Sequence, residues 1–327
     1  RADPAQARQL YREAVERPPA DAYALWNHLV YELRDPPPLL PLLRPLLHGA
    51  MERCRKHAAA GIDLPWAYYS LGNLQLLAGE PYESLDSYAR AIVTSSEAWM
   101  IETSLTTLEG LAPAADRIGG YEGARRLLAL AIAVRAPASP SAIERLRALA
   151  TPGAAPIEGA VVIVAGGTDP RIEEQMRTHR ELLEAALEGF AGTVLSGGTR
   201  QGVSGLVGDI ARRHRDRVRA VGYLPANLPP DATVDDGGYA ELRRTNGEAF
   251  TPLEPLQGWA DLLSSGIGPP EVRVLAINGG QISAAEYRIA IALGARVGIL
   301  AGSGREAGRI AADEVWSASS RLAVLPP

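Results

Sequence analysis

The stretch "EVRVLAINGGQISAAEYRIAIALGARVGIL", residues 271–300, decides the fold. Its first part, "EVRVLAI", is a short apolar run and reads as a buried strand. The run stops at Gly279-Gly280, and a helix-like pattern carrying Glu286 and Arg288 begins. "RVGILAG", residues 296–302, is then a second apolar strand. Apolar strands alternating with helices point to a mostly parallel sheet covered on both faces.

The same alternation runs through the second half of the chain. "AVVIVAGG" (160–167), "GTVLSGG" (192–198) and "VRAVGYL" (218–224) read as strands, and "RLAVLP" (321–326) as another. Helical patterns occupy 171–190, 202–215 and 252–266, and a loop rich in Pro, Gly and Asp fills roughly 225–250. The expected fold class is α/β, a Rossmann-like, doubly wound and mostly parallel sheet over residues 158–327.

Strand C-termini line one edge of such a sheet, where ligands bind. Glycines let backbone N–H groups approach an anion, and the following helices present positive N-termini. Three strands end in glycine pairs: Gly166-Gly167 followed by Thr168, Gly197-Gly198, and Gly279-Gly280. A fourth ends in Ser303, Gly304 and Arg305. The turn "SGGTRQGVSG" (196–205) adds Thr199, Arg200 and Gly202. Four such turns in one sheet point to a phosphate-bearing ligand; glycine's ordinary abundance at strand ends is the competing explanation. No turn matches G-x-G-x-x-G, so an ordinary dinucleotide fingerprint is absent.

Lys56 is the only lysine, against many arginines, a bias that a GC-rich bacterial genome would produce. It follows no glycine loop, which argues against Walker-type and kinase-type phosphoryl transfer. Arginines must then neutralise any phosphate. Arg200 and Arg305 lie in glycine turns, Arg171 follows the first turn, and Arg243 and Arg244 lie at the far end of the long loop, placed to close as a lid would. For any one of them a solvated role is an equal alternative. The five histidines have no metal-ligand spacing, so no metal site is expected. Trp26, Trp66, Trp99 and Trp259 read as core residues.

The turn "GGQISAAE" (279–286) resembles the "GGxGTxxE" turn of the LOG family. Gly279 and Gly280 match the pair, Ser283 the threonine and Glu286 the glutamate. Ile282 replaces the middle glycine, and Gln281 fills the variable position. The wider resemblance, over roughly 158–325, is to the SLOG superfamily of Rossmann-like nucleotide-binding domains. "LSGGTRQGVSGLVGDIAR" (195–212) looks like the glycine loop in the SLOG region of TRPM channels and their bacterial relatives. The resemblance implies one of two activities. LOG enzymes hydrolyse the N-glycosidic bond of nucleoside monophosphates, with the motif glutamate and an arginine. Other SLOG domains sense ADP-ribose or cyclic ADP-ribose isomers, some in bacterial antiphage effectors. Glu286 accordingly has three readings: a catalytic carboxylate, an acceptor for ribose hydroxyls, or a favourable charge near its helix N-terminus. Ile282 tilts the expectation towards recognition, because a branched side chain crowds a phosphate approaching the backbone.

The first half is Ala/Leu-rich and helical. In "AYYSLGNLQLLAGEPYESLDSYARAI" (67–92), Gly72 lies in one helix, Gly79 ends it, and Ser84, Tyr88 and Ala91 recur in the next. Small residues let two antiparallel helices approach, with Tyr68 and Tyr88 filling the remaining space. The pattern resembles a tetratricopeptide repeat. Ala124, Leu128 and Ala131 repeat the spacing, as do Ala7, Tyr11 and Ala14. The last match has no partner helix before it, so residue 1 is expected to lie inside a repeat whose first helix is upstream. The expected domains are a helical-repeat domain (1–135), a linker with one short helix (136–157) and the SLOG-like domain (158–327). Helical repeats serve as protein- or peptide-binding surfaces; a packing or oligomerisation module is the even alternative.

The net charge of −5 gives no reason to expect a nucleic-acid partner. Cys54 is the only cysteine, which fits a reducing, cytoplasmic setting. No apolar run reaches the roughly 20 residues a membrane span needs. Taken with the SLOG resemblance, which implies the sensing role, the expectation is a cytoplasmic sensor of a nucleotide-derived ligand, with no other cofactor required. Its helical repeats would couple binding to homo-oligomer assembly or a protein partner. A LOG-like hydrolase using Glu286 is the alternative.

Overall fold

The computed structural model describes residues 3–17, 21–34, 40–167 and 179–326. The chain divides into two compact units, Arg1–Arg135 and Ala136–Pro327.

The first unit is helical, with helices Pro4–Glu16, Ala22–Arg34, Leu40–Ala59, Trp66–Ala78, Pro81–Thr94, Ala98–Glu109 and Tyr121–Arg135. Its tightest pair is Trp66–Ala78 against Pro81–Thr94. Gly79 closes the first helix in the left-handed region, at φ 81°. Pro81 opens the second, where its missing N–H costs nothing. Gly72 lets the Tyr88 ring lie 3.2 Å from where a Cβ would stand. Ser84 Oγ donates to the Gly72 carbonyl at 2.8 Å, and Tyr88 donates to Asn73. Leu74, Leu85 and Ile92 are buried between the layers, each contributing about 1.5–3 kcal/mol.

Two expectations for this unit change. Tyr69, not Tyr68, is the second buried aromatic, since Tyr68 is only half-buried. Trp99 is 53% exposed and meets Trp66 at 5.9 Å, whereas Trp26 is core as expected. The three small-residue patterns also differ. Ser84, Tyr88 and Ala91, like Ala124, Leu128 and Ala131, are fully buried. Ala14 is exposed and Ala7 half-buried, because Tyr11 packs edge-on and stacked against Tyr23 and Tyr31 of the next helix.

The second unit is α/β and Rossmann-like. Its strands are β1 (Ala160–Gly166), β2 (Gly192–Ser196), β3 (Val218–Leu224), β4 (Glu241–Arg244), β5 (Val272–Ile277), β6 (Arg296–Leu300) and β7 (Leu322–Leu325). They form one sheet in the order β4-β3-β2-β1-β5-β6-β7. Every pair is parallel. The chain winds outward from β1 to β4 and then returns to β5 beside β1. A topological switch point therefore lies between β1 and β5, in register from Val161↔Val272 to Gly166↔Ile277. Helix Gly202–Arg213 packs Val203, Val207 and Ile210 onto one face, against Val164, Val194 and Ala220. Helices Leu253–Ser264 and Gln281–Leu293 bury Trp259 and Tyr287 completely.

The stretch read as loop 225–250 contains edge strand β4. "ELRR" has no apolar run to announce it. Its pairing relies on backbone hydrogen bonds and on the buried Arg243 side chain. Residues 136–157, expected as linker, carry helix Pro140–Leu149 and are tied to the sheet unit. Thr151 donates from N and Oγ1 to Asp261, Ile157 N donates to Ser265, and Gln257 donates to the Leu149 carbonyl. Among the described residues, no helix is long and apolar enough to cross a membrane.

Candidate functional site

The crevice at the carboxyl ends of β1 and β5 is built by glycines that backbone contact requires. A Cβ on Gly166 would stand 2.4 Å from the Ile277 carbonyl oxygen and 2.6 Å from Val203 Cγ2. Gly167 accepts from Val203 N at 3.1 Å, bringing the turn after β1 to the start of helix Gly202–Arg213. After β5 the chain reverses sharply. Asn278 has φ 57° and Gly279 φ 95°. A Cβ on Gly279 would lie 2.4 Å from Ser283 Cβ and 2.7 Å from the Tyr287 hydroxyl.

Asn278 holds this turn to the one after β6. Its N–H donates to Ser303 Oγ at 3.1 Å, and its side-chain amide donates to the Ser303 carbonyl at 2.9 Å. Its Oδ1 accepts from Gly279 N. Ala307 N donates to the Asn278 carbonyl. The turn after β6 is also left-handed, with Gly302 at φ 71°, Gly304 at 79° and Arg305 at 48°. Two helix N-termini, Gln281–Leu293 and Arg305–Ala312, thus start side by side, neither capped by a side chain. Arg305 Nη2 lies 3.7 Å from where a Cβ on Gly280 would be, so its guanidinium borders the crevice.

Glu286 lies four residues past Ile282 on the same helix face. Its side chain has no hydrogen bond or ion pair among the described residues. Part of the residue stays open to solvent, but the protein packed round the carboxyl pushes its pKa up to about 8. Such a group carries its proton at neutral pH and donates one hydrogen bond as well as accepting.

The structure therefore gathers Gly166, Gly167, Gly279, Gly280, Gln281, Ser283, Ser303, Gly304 and Arg305 around neighbouring strand ends, with Glu286 in the second turn of helix Gln281–Leu293. Thr168 and Arg171 lie outside the described residues. Arg244 is elsewhere. It stands on β4, three strands from β1, about 14 Å across the sheet, and donates to the carbonyls of Pro225 and Ala226. Arg243, read as a lid residue, is buried against Asp261 and Glu241 and cannot close over anything.

The turn after β2 borders the crevice but is largely occupied by its own chain. Residues 231–236 run across it. Thr199 bridges Val234, Arg200 N donates to the Thr233 carbonyl, and Asp235 N donates to the Gly198 carbonyl. Arg200 extends outward to Asp236 at 3.2 Å. Asp235 fixes the crossing from below, accepting from Gly238 N and Arg212. Gly197 faces Ser204 Oγ, and Gly198, at φ 74°, packs on Leu224 and Leu242. Gly202, at φ 56°, opens the helix. The Thr199 hydroxyl is buried and unpartnered among the described residues. The loop expected to be open is thus partly a strap over the richest glycine turn. Its acidic "DD" opposite Arg200 was the available signal.

Asn278 and Tyr287 were not singled out from sequence. Asparagine before a glycine pair, with its tolerance of left-handed backbone, was a usable signal for the first. For Tyr287 the signal was its place four residues after Ser283.

No protein-family model matches the chain, and no curated protein matches it significantly. Among solved structures, the molybdenum cofactor carrier protein of Chlamydomonas reinhardtii is similar at 18% identity and TM-score 0.38, covering 51% of this chain and 89% of its own. A structure described as TM1055 is similar at 21% identity and TM-score 0.37, covering 51% and 92%. A mutant O-GlcNAc transferase from Thermobaculum terrenum aligns at 16% identity and TM-score 0.20, covering 100% and 75%. At those scores neither the carrier's cofactor nor the transferase's activity transfers to this chain.

Proposed function

We propose that the second unit binds a nucleotide-derived ligand, of the ADP-ribose or cyclic ADP-ribose class, in the crevice between β1 and β5. The observation that carries this reading is Glu286, a carboxyl with no hydrogen bond or ion pair among the described residues, in the second turn of helix Gln281–Leu293, whose N-terminus has no side-chain cap. The N-terminus of that helix and Arg305 suit a phosphate, and the carboxyl suits ribose hydroxyls. The packed pair Trp66–Ala78 and Pro81–Thr94 supports a helical-repeat reading of the first unit. In that reading it couples ligand binding to self-assembly or a protein partner, in a bacterial antiphage setting suggested by the SLOG resemblance alone. Isothermal calorimetry with ADP-ribose, its cyclic isomers, NAD and AMP tests the proposal. Heat from at least one, abolished in Glu286→Ala, is the expected result. Silence from all four removes the reading.

The raised pKa of Glu286 favours one second reading. A carboxyl protonated at neutral pH suits a general acid. In hydrolysis of a nucleoside monophosphate, the bond from ribose C1′ to the base nitrogen breaks. Glu286 gives its proton to the leaving base, and water adds at C1′ and releases a proton. Free base released from AMP by the wild type and not by Glu286→Gln distinguishes this from binding alone.

A further inference from the structure

We infer that Tyr287 is a positioning residue of the crevice, its hydroxyl holding the turns after β1 and β5 at a fixed separation for the ligand. The inference rests on the binding reading above. The Tyr287 hydroxyl lies 3.3 Å from the Ala165 carbonyl on β1 and 3.2 Å from the Asn278 carbonyl just past β5. Its one proton is therefore shared between the two sides of the switch point. The residue is fully buried. Burial raises its phenol pKa, so it remains a donor, and the Ser283 side chain lies beside it over Gly279.

The surroundings leave the hydroxyl little room to move. Gly279 has no side chain, and any Cβ there would collide with both Ser283 and the phenol oxygen. Ser283 and Tyr287 are four residues apart on one helix face, directed at the turn. Glu286 precedes Tyr287 in the helix and so points about 100° away from it. In the binding reading the phenol sets the spacing of the turns and Glu286 meets the ligand.

The test uses Tyr287→Phe in the full chain, which keeps the ring and deletes the hydroxyl. In unliganded protein, amide hydrogen exchange is expected to quicken about five- to tenfold in segments 160–167 and 276–283, the loss of roughly one net hydrogen bond. Exchange in 218–224 is expected to stay unchanged. ADP-ribose affinity, measured separately, is expected to fall by a similar factor. Unchanged exchange in the two turns, or quickening of all three segments alike, overturns the inference, as does undiminished ADP-ribose affinity. Local quickening in a protein whose wild type binds no nucleotide supports the clamp and defeats the binding reading instead. Should Tyr287→Phe fail to fold, the wild-type Tyr287 hydroxyl proton is expected as a slowly exchanging NMR resonance close to Ala165 and Asn278, and its absence overturns the clamp.

Discussion

Arg243 Nη1 lies 2.8 Å from Asp261 Oδ2, with only 3% of either side chain exposed. Around this pair Tyr223 and Thr151 donate to the same carboxylate, and Arg243 also donates to Glu241 and to the Ala155 carbonyl. Asp261→Ala would strand a buried guanidinium and several donors at once. Breaking such a pair from one side costs about 3–5 kcal/mol. Urea denaturation is the measurement, and a loss below about 1 kcal/mol would contradict the account.

Glu286 gives the stability a definite dependence on pH. Its pKa is raised in the folded protein, from an ordinary 4.5 to about 8, because burial disfavours the charge. Between those values the unfolded chain loses the proton while the folded one keeps it. The folded state binds more protons, so stability falls as pH rises through this window and levels off above it. The drop attributable to this group is on the order of a few kcal/mol. Denaturation at pH 5 and pH 8.5 should show wild type losing stability relative to Glu286→Gln. Parallel behaviour of the two proteins would dismiss the buried carboxyl.

Two glycines in helices should respond in opposite directions to alanine. A Cβ on Gly205 would stand 2.0 Å from the Arg200 carbonyl oxygen, so the turn must move. Gly205→Ala is expected to destabilise by about 1–3 kcal/mol. Gly308 has open space around it, and Gly308→Ala should stabilise by about 0.5–1 kcal/mol. Thermal melts of both variants decide it, and equal signs would refute the contact argument.

Asp235 fastens the strap over the β2 turn. Its carboxylate is buried beside Gly208 and Gly238, and accepts from Arg212 and Gly238 N. Asp235→Ala should leave the sheet intact but make residues 225–240 a protease target, at a cost of about 1–3 kcal/mol. Limited proteinase K digestion, with fragments identified by mass, checks this, since 225–240 holds no lysine or arginine for trypsin. Resistance equal to wild type would mean the backbone contacts at Thr199 and Thr233 suffice.

Much of the sheet unit is legible in the sequence because its central strands are apolar on both faces. Strand β3 runs Val218–Leu224, as the apolar run indicates, and β1 and β5 end where their glycines begin. Strand β4 was not legible, because "ELRR" lies at an edge and its one buried arginine is paid for by a partner, Asp261, 18 residues away. The site was half legible. Glycine pairs mark where backbone approaches closely, and Gly166 and Gly279 do so. Pattern alone does not separate approach to a ligand from approach to the protein itself. Gly166 and Gly279, like Gly198 and Gly205 in the richest turn, are demanded by the protein's own atoms. Arginines were least legible. Arg200, Arg243 and Arg244 all find acidic or carbonyl partners through contacts distant in sequence.

The tie from Tyr287 to Ala165 spans 122 residues of chain. No local fragment can assemble the crevice, since its two walls belong to opposite halves of the winding. Closing so long a loop carries an entropy cost that only the completed sheet offsets. During synthesis β1 to β4 can pair while the crevice has no second wall. Competence to bind would then appear late in folding, with the docking of β5 and helix Gln281–Leu293, and would report that this unit is whole.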